Sequence, residues 1–164
     1  GWIPVASEAG HVSFAAETEE EFDIVTRMAA EFGRVSTERL VSGPGVEKTY
    51  GILAELRGRA KQEIPVADIF ELAAGGHDSI AVDTASYFVN WLGRFAGDMA
   101  LTFEAGGGVY IAGGIAPRIL HLLDTGAFHR SFCAKGRMSR FLNSVPLQVV
   151  TAGNAGLRGA AAAC

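Results

Sequence analysis

Cysteine is nearly missing from this chain. Its 164 residues hold only Cys133 and Cys164. With no C-x-x-C pair, neither a disulfide framework nor a zinc site has its ligands. Basic charge is also short. Fourteen Lys and Arg face eighteen Asp and Glu, for a net charge of −4 and a pI of about 5.5. Such a balance leaves no electrostatic footprint for a phosphate backbone, so no nucleic-acid partner is expected. No uncharged apolar run reaches the ~18 residues of a membrane span, so no membrane partner is expected either. The chain opens at Gly1 rather than Met, with no basic-then-apolar leader. A reducing, cytoplasmic setting is the expectation. The sequence also shows no nucleophile elbow, Walker loop or dinucleotide fingerprint.

What is present suits a globular domain: 49% hydrophobic and 20% charged residues, with enough length for a real core. The 21 glycines have no period and gather at the ends of apolar runs. That placement suggests tight turns at a ligand site.

Residues 1–16 read as loop, with His11–Ala15 alternating like a short strand. Thr18 and Glu21 form a capping box for a helix closed by Gly33. Its expected buried face is Phe22, Val25, Met28, Ala29 and Phe32. Ser42–Gly45 reads as a loop before a second helix with Val46, Tyr50, Leu53 and Leu56 on one face. Pro65 starts a third helix, which ends at Gly75–Gly76. Asp78 or Ser79 caps the longest helix, running to about Glu104 with Ile80, Phe88, Leu92, Phe95, Met99 and Phe103 as its buried stripe. Val109–Ala112 and Pro146–Val150 read as strands. Pro117 opens another helix, broken helical pieces fill Thr125–Asn143, and Ala155–Cys164 is an alanine-rich helix. Strands alternating with helices make the class α/β, with helix predominating.

Three groups of residues carry possible chemistry. Gly113–Gly114 follows a strand directly, so a ligand can approach bare backbone there; a plain strand-to-helix turn has the same sequence. Glu8 and His11 sit three apart on a glycine-containing loop. Carboxylate oxygens accept hydrogen bonds from adjacent hydroxyls, which suits a polyol or sugar; an exposed loop with an incidental His fits too. Two such ligands are too few for a metal. Glu38 reads alone as a surface carboxylate paired with Arg34 or Arg39. His77 and Asp78 suit a helix cap, and His121 and His129 show no partner.

Taken together, the segments Ser7–Ala15, Glu19–Glu21, Val35–Gly45, Gly93–Asp98, Gly107–Pro117 and Asn154–Gly159 resemble the bacterial glucokinase family, in the family's order. Ala9 stands where the family's Glu-Gly-Gly-His pattern usually has its first Gly. The resemblance implies the large domain of the actin-like ATPase, or ribonuclease H-like, fold, incomplete and helix-rich around a small sheet. By that resemblance Glu8, His11 and Glu38 hold the hydroxyls of glucose. Gly113 and Gly114 look like the adenosine-side turn, and Gly43 lies near the nucleotide cleft.

The family also has an Asp-x-Gly-Gly-Thr-type phosphate loop, a further glycine-rich phosphate turn and an Asp that takes the proton from the sugar's 6-hydroxyl. None of these occurs in this sequence. The resemblance therefore implies roughly the C-terminal half of a glucokinase: residues 1–152 belong to the large domain, and 153–164 form a helix that would pack on the small domain. ATP, Mg²⁺ and a homodimer belong to the complete enzyme, and this chain alone should not catalyse phosphoryl transfer. The rival reading is a non-enzymatic sugar-sensing domain of the same superfamily, whose repressors usually carry a cysteine-rich zinc motif.

Overall fold

The computed structural model describes Ile3 and residues 5–163. Gly1, Trp2 and Pro4 of the expected N-terminal loop lie outside the described residues, as does Cys164. The chain divides into two compact units, Gly1–Phe88 and Val89–Cys164.

In the first unit, helix α1 spans Glu19–Phe32. Thr18 Oγ1 accepts the Glu21 N–H at 3.2 Å. The Glu21 carboxylate reaches back, but to the Glu17 N–H at 2.7 Å, one residue ahead of the expected partner. Gly33 closes the helix at φ 73°. The buried face is Glu21, Ile24 and Met28; of the expected face only Met28 is fully buried, and Phe22 is 58% exposed. Turning the Glu21 cap inward brings i+3 and i+7 with it.

After the short α2, Thr37–Leu40, comes α3, Gly43–Leu56. The expected Ser42–Gly45 loop is in fact the cap and first turn of α3. Ser42 Oγ accepts the Gly45 N–H at 3.2 Å, and Pro44 pre-sets the first turn. Gly45 must lack a Cβ, because one would stand 2.6 Å from the Arg39 carbonyl oxygen and overlap that of Leu40. Val46, Tyr50 and Leu53 are buried as their spacing predicts, and Thr49, Gly51, Ile52 and Ala54 join them. That makes α3 the central helix of the unit. Helix α4, Val66–Gly75, follows Pro65 and ends at a left-handed Gly76. Glu47 of α3 caps it by accepting the Val66 N–H at 2.9 Å.

The expected strand His11–Ala15 does not form. Ala9–His11 is a single 3-10 turn, and one antiparallel bridge joins Ser13 to Ser36. The turn's own bonds, His11 N–H to Glu8 C=O at 2.9 Å and Val12 N–H to Ala9 C=O at 3.1 Å, use donors a longer ladder would need.

Helix α5, Ser79–Thr102, is the longest, about 36 Å at 1.5 Å per residue. Asp78 caps it, accepting the Ile80 and Ala81 N–H groups at 2.7 and 3.2 Å. In the second unit the buried residues of α5 are Val89, Trp91, Gly93, Ala96, Gly97 and Ala100. The expected stripe of large residues is half-exposed there, and Phe103 is 53% exposed. Small residues let α7, Ala127–Cys133, approach backbone to backbone. A Cβ on Gly93 would lie 2.5 Å from the Phe128 carbonyl oxygen, and one on Gly97 would overlap that of Phe132.

Strands β1, Val109–Ile111, and β2, Leu147–Val149, pair in parallel with Tyr110 opposite Gln148. Pro117 opens a 3-10 turn, Ala116–Ile119, and the helix expected there shrinks to α6, Leu120–Leu123. A further 3-10 turn, Gly136–Met138, precedes α8, Ser139–Leu142. Helix α9, Ala155–Ala163, comes last, with Leu157 78% exposed. The class is thus α/β with a small parallel sheet. Among the described residues no helix is long and apolar enough to cross a membrane.

Candidate functional site

The site is built on two segments of the first unit that zip together. Phe14 N–H donates to the Val35 carbonyl at 3.2 Å, and Thr37 N–H donates to the Val12 carbonyl at 2.9 Å. This pairing sets the 3-10 turn beside the start of α2. His11 Nε2 then stands 3.4 Å from Glu38 Oε2 and 3.8 Å from Glu8 Oε2. The three side chains that spacing and resemblance single out are therefore one cluster. The side chains of Glu8, His11 and Glu38 are 89%, 63% and 58% exposed. They are open to an incoming molecule instead of being spent on interior contacts. Four carboxylate oxygens and an imidazole edge at one place suit adjacent hydroxyls, which both donate and accept.

His11 and Glu38 line a cleft of about 510 Å³ whose walls include Phe32, Arg34, Arg39 and Lys48. The cations are held in place. The Arg39 guanidinium lies over the Phe32 ring, its Cζ 4.1 Å from the centroid, a favourable cation–π contact. Lys48 Nζ pairs with Glu31 at 2.7 Å. Arg34 donates to the His11 carbonyl at 2.6 Å and to Ser13 Oγ at 3.3 Å. Glu38 is a surface carboxylate, as its sequence context suggests, but its ion-pair partner is His11 and not Arg34 or Arg39.

Known proteins resemble this chain along nearly its whole length. The family model described as Glucokinase matches residues 1–164. The chain belongs to the glucokinase family. It is 45% identical over 160 residues to a glucokinase of Caulobacter sp. (strain K31), covering 98% of this chain and 48% of that protein. It is 40% identical over 163 residues to a glucokinase of Marinobacter nauticus, covering 99% and 51%. A crystal structure of a glucokinase from an Antarctic psychrotroph superposes with a TM-score of 0.87 at 38% identity, over 97% of this chain and 49% of that one. A Leishmania braziliensis glucokinase shares the fold at a TM-score of 0.70 and 17% identity, over 91% and 42%. The chain spans about half the length of the curated relatives it matches.

The remaining candidates of this glucokinase-family chain are placed as follows. Gly43 is the first residue of α3, in the first unit. Gly113 and Gly114 follow β1 in the second unit. Gly113 has φ 122°, and a Cβ at either position would meet nothing within 4 Å. Packing thus does not demand glycine at this turn, whereas the backbone conformation at Gly113 does. Among the described residues no group of three or more His, Cys, Asp or Glu side chains is arranged to hold a metal ion.

Two features escape sequence reasoning. Arg34 acts on a backbone carbonyl 23 residues away, and no residue pattern announces such a contact. In the second unit His121 and His129 line a cleft of about 520 Å³ with Leu120, Phe128 and Gln148, and His129 Nε2 lies 3.6 Å from Cys133 Sγ. Burial raises the pKa of the Cys133 thiol, so it is a poor nucleophile near neutral pH.

Proposed function

We propose that this chain is roughly the C-terminal half of an ATP-dependent glucose kinase, mostly its large domain, and that Glu8, His11 and Glu38 are its contacts to glucose. The reading rests on the convergence of those three side chains on one open point, in a chain of the glucokinase family. Each carboxylate accepts hydrogen bonds from ring hydroxyls, and the imidazole donates or accepts one more. Their task is to bind and orient the sugar.

The catalytic base and the phosphate loops of the family are not among these residues. Phosphoryl transfer depends on aligning the γ-phosphate, a metal ion and the attacking hydroxyl, so this chain by itself binds sugar without phosphorylating it. In the complete enzyme ATP supplies the phosphoryl group, accompanied by Mg²⁺. The uncrowded turn at Gly113–Gly114 fits the approach of the adenosine, because no side chain shields its backbone. Gly43 is assigned to the nucleotide cleft on the resemblance. A cytoplasmic homodimer is the matching form of the complete enzyme.

The test is saturation-transfer NMR with glucose on this chain, on His11→Ala and on Glu38→Gln. The expected result is a glucose signal that both substitutions weaken while the amide spectrum away from the cleft stays unchanged. Equal signals from all three proteins would end the assignment. A coupled assay with ATP and Mg²⁺ should show no turnover by the chain alone.

A further inference from the structure

The turn that carries His11 is short, and its backbone bonds to the rest of its unit, among the described residues, lie on its C-terminal side. From Val12 onward, backbone bonds hold the segment: Val12 C=O accepts from Thr37, and Phe14 donates to Val35. Before His11, the hydrogen bonds among the described residues are local to the turn, with Ala9 N–H on Ser7 Oγ at 3.2 Å and His11 N–H on the Glu8 carbonyl. His11 sits at the border between the held and the local parts. There the Arg34 guanidinium spans the two segments, donating to the His11 carbonyl at 2.6 Å and to Ser13 Oγ at 3.3 Å. Arg34 follows Gly33, the positive-φ cap that ends α1.

We infer that Arg34 is a positioning residue for the sugar site: it clamps the His11 carbonyl and thereby holds the imidazole against Glu38. The inference rests on the reading that His11 and Glu38 contact glucose. Without the clamp, the 3-10 turn and its side chain sample more conformations, and ordering them again costs binding free energy. A lysine at the same position keeps the charge and has three donors, but on a flexible stem, whereas the planar guanidinium, whose Nη2 makes both contacts, presents its N–H groups at fixed geometry. The ordinary worth of a hydrogen bond then sets the scale, about 2–13-fold in affinity.

The experiment measures glucose affinity by NMR titration of this chain and of Arg34→Ala, Arg34→Lys, His11→Ala and Arg27→Ala. Arg27, paired with Glu55 at 3.1 Å, is a surface arginine away from the cleft and serves as control. Arg34→Ala should weaken glucose binding about 2–13-fold and shift the His11 and Glu38 amide resonances. Arg34→Lys should recover part of the loss, and Arg27→Ala should bind as the parent does. The melting temperature of each variant shows whether a general loss of stability accounts for the effect. Binding lost in His11→Ala but intact in Arg34→Ala would overturn the inference alone. A parent chain that gives no glucose response, or binding unchanged in His11→Ala, would overturn the glucose reading and this inference with it.

Discussion

Glu38 Oε2 lies 3.4 Å from His11 Nε2, although the whole of α1 runs between the two residues in the chain. The helix acts as a spacer that returns the backbone to its starting place. Its caps, Thr18 at one end and Gly33 at the other, set where the return begins and ends. The two segments flanking α1 then zip together through Val12, Phe14, Val35 and Thr37. Helix length, caps and the short zip jointly decide whether the carboxylate meets the imidazole.

Glu8→Gln in a complete enzyme carrying this half should keep the fold and lower kcat/KM for glucose. A hydrogen bond to a charged group contributes about 1.5–3 kcal/mol, which corresponds to a loss of about 10–150-fold. Steady-state kinetics with glucose as the varied substrate checks this. An unchanged kcat/KM would remove Glu8 from the site.

Gly97→Ala should destabilise the second unit by about 1–3 kcal/mol, the usual cost of overpacking. Helix propensity alone would favour alanine by roughly 0.5–1 kcal/mol. Here the new methyl would overlap the Phe132 carbonyl oxygen and crowd Lys135 Cε at 2.9 Å. Backbone on the facing helix cannot move aside as a flexible side chain can. Urea denaturation, followed by the fluorescence of the buried Trp91, gives the sign directly.

Asp78 links the start of α5 to α3, accepting the Tyr50 hydroxyl at 3.1 Å and an Arg59 N–H at 3.2 Å besides its two backbone donors. Burial alone would push this carboxyl up. The amides of Ile80 and Ala81, the Tyr50 hydroxyl and the Arg59 charge outweigh it and hold the pKa below the ordinary carboxylate value. A lowered folded-state pKa gives stability that is present above the unfolded-state value, near 3.9, and lost as pH falls through the folded-state value. Asp78→Asn should therefore cost about 1 kcal/mol at neutral pH. Its difference from the parent should shrink below about pH 4, which denaturant titrations across pH 2–7 would reveal.

Leu157 on α9 is 78% exposed, and a helix of nine residues is marginal alone even when rich in alanine. Amides 155–163 should exchange far faster than those of α3. Leu157→Ala should change the stability of the chain by less than about 0.5 kcal/mol, as surface substitutions do. Strong protection of these amides at low protein concentration would show that the helix is held by its own chain.

Local codes made part of this fold legible. Thr18, Gly33, Gly76 and Asp78 announce helix ends because capping depends on a few adjacent backbone groups. Buried faces were harder to read. Counting large apolar residues places Leu92, Phe95 and Met99 inside, but α5 buries Gly93, Ala96 and Gly97, where the partner comes so near that size is excluded. In Ser42–Gly45 two glycines and a proline look like loop, yet a serine cap and a proline in the first turn also start a helix. Of the cluster, spacing alone pointed to Glu8 and His11. Glu38 came only from the family resemblance, since its approach to His11 depends on tertiary pairing across α1.

The parallel pairing of β1 with β2 also bears on the order of folding. Three residue pairs must repay the closure of the chain from Ile111 to Leu147, which costs on the order of 3 kcal/mol in loop entropy. So short a ladder cannot nucleate on its own. Helices α6 to α8 must condense first and deliver the two strands to each other. The first unit faces no such delay, since neighbours in its sequence, such as α3 and α4, already meet in space. Refolding of the chain should therefore proceed in two phases, with the sheet completed in the slower one.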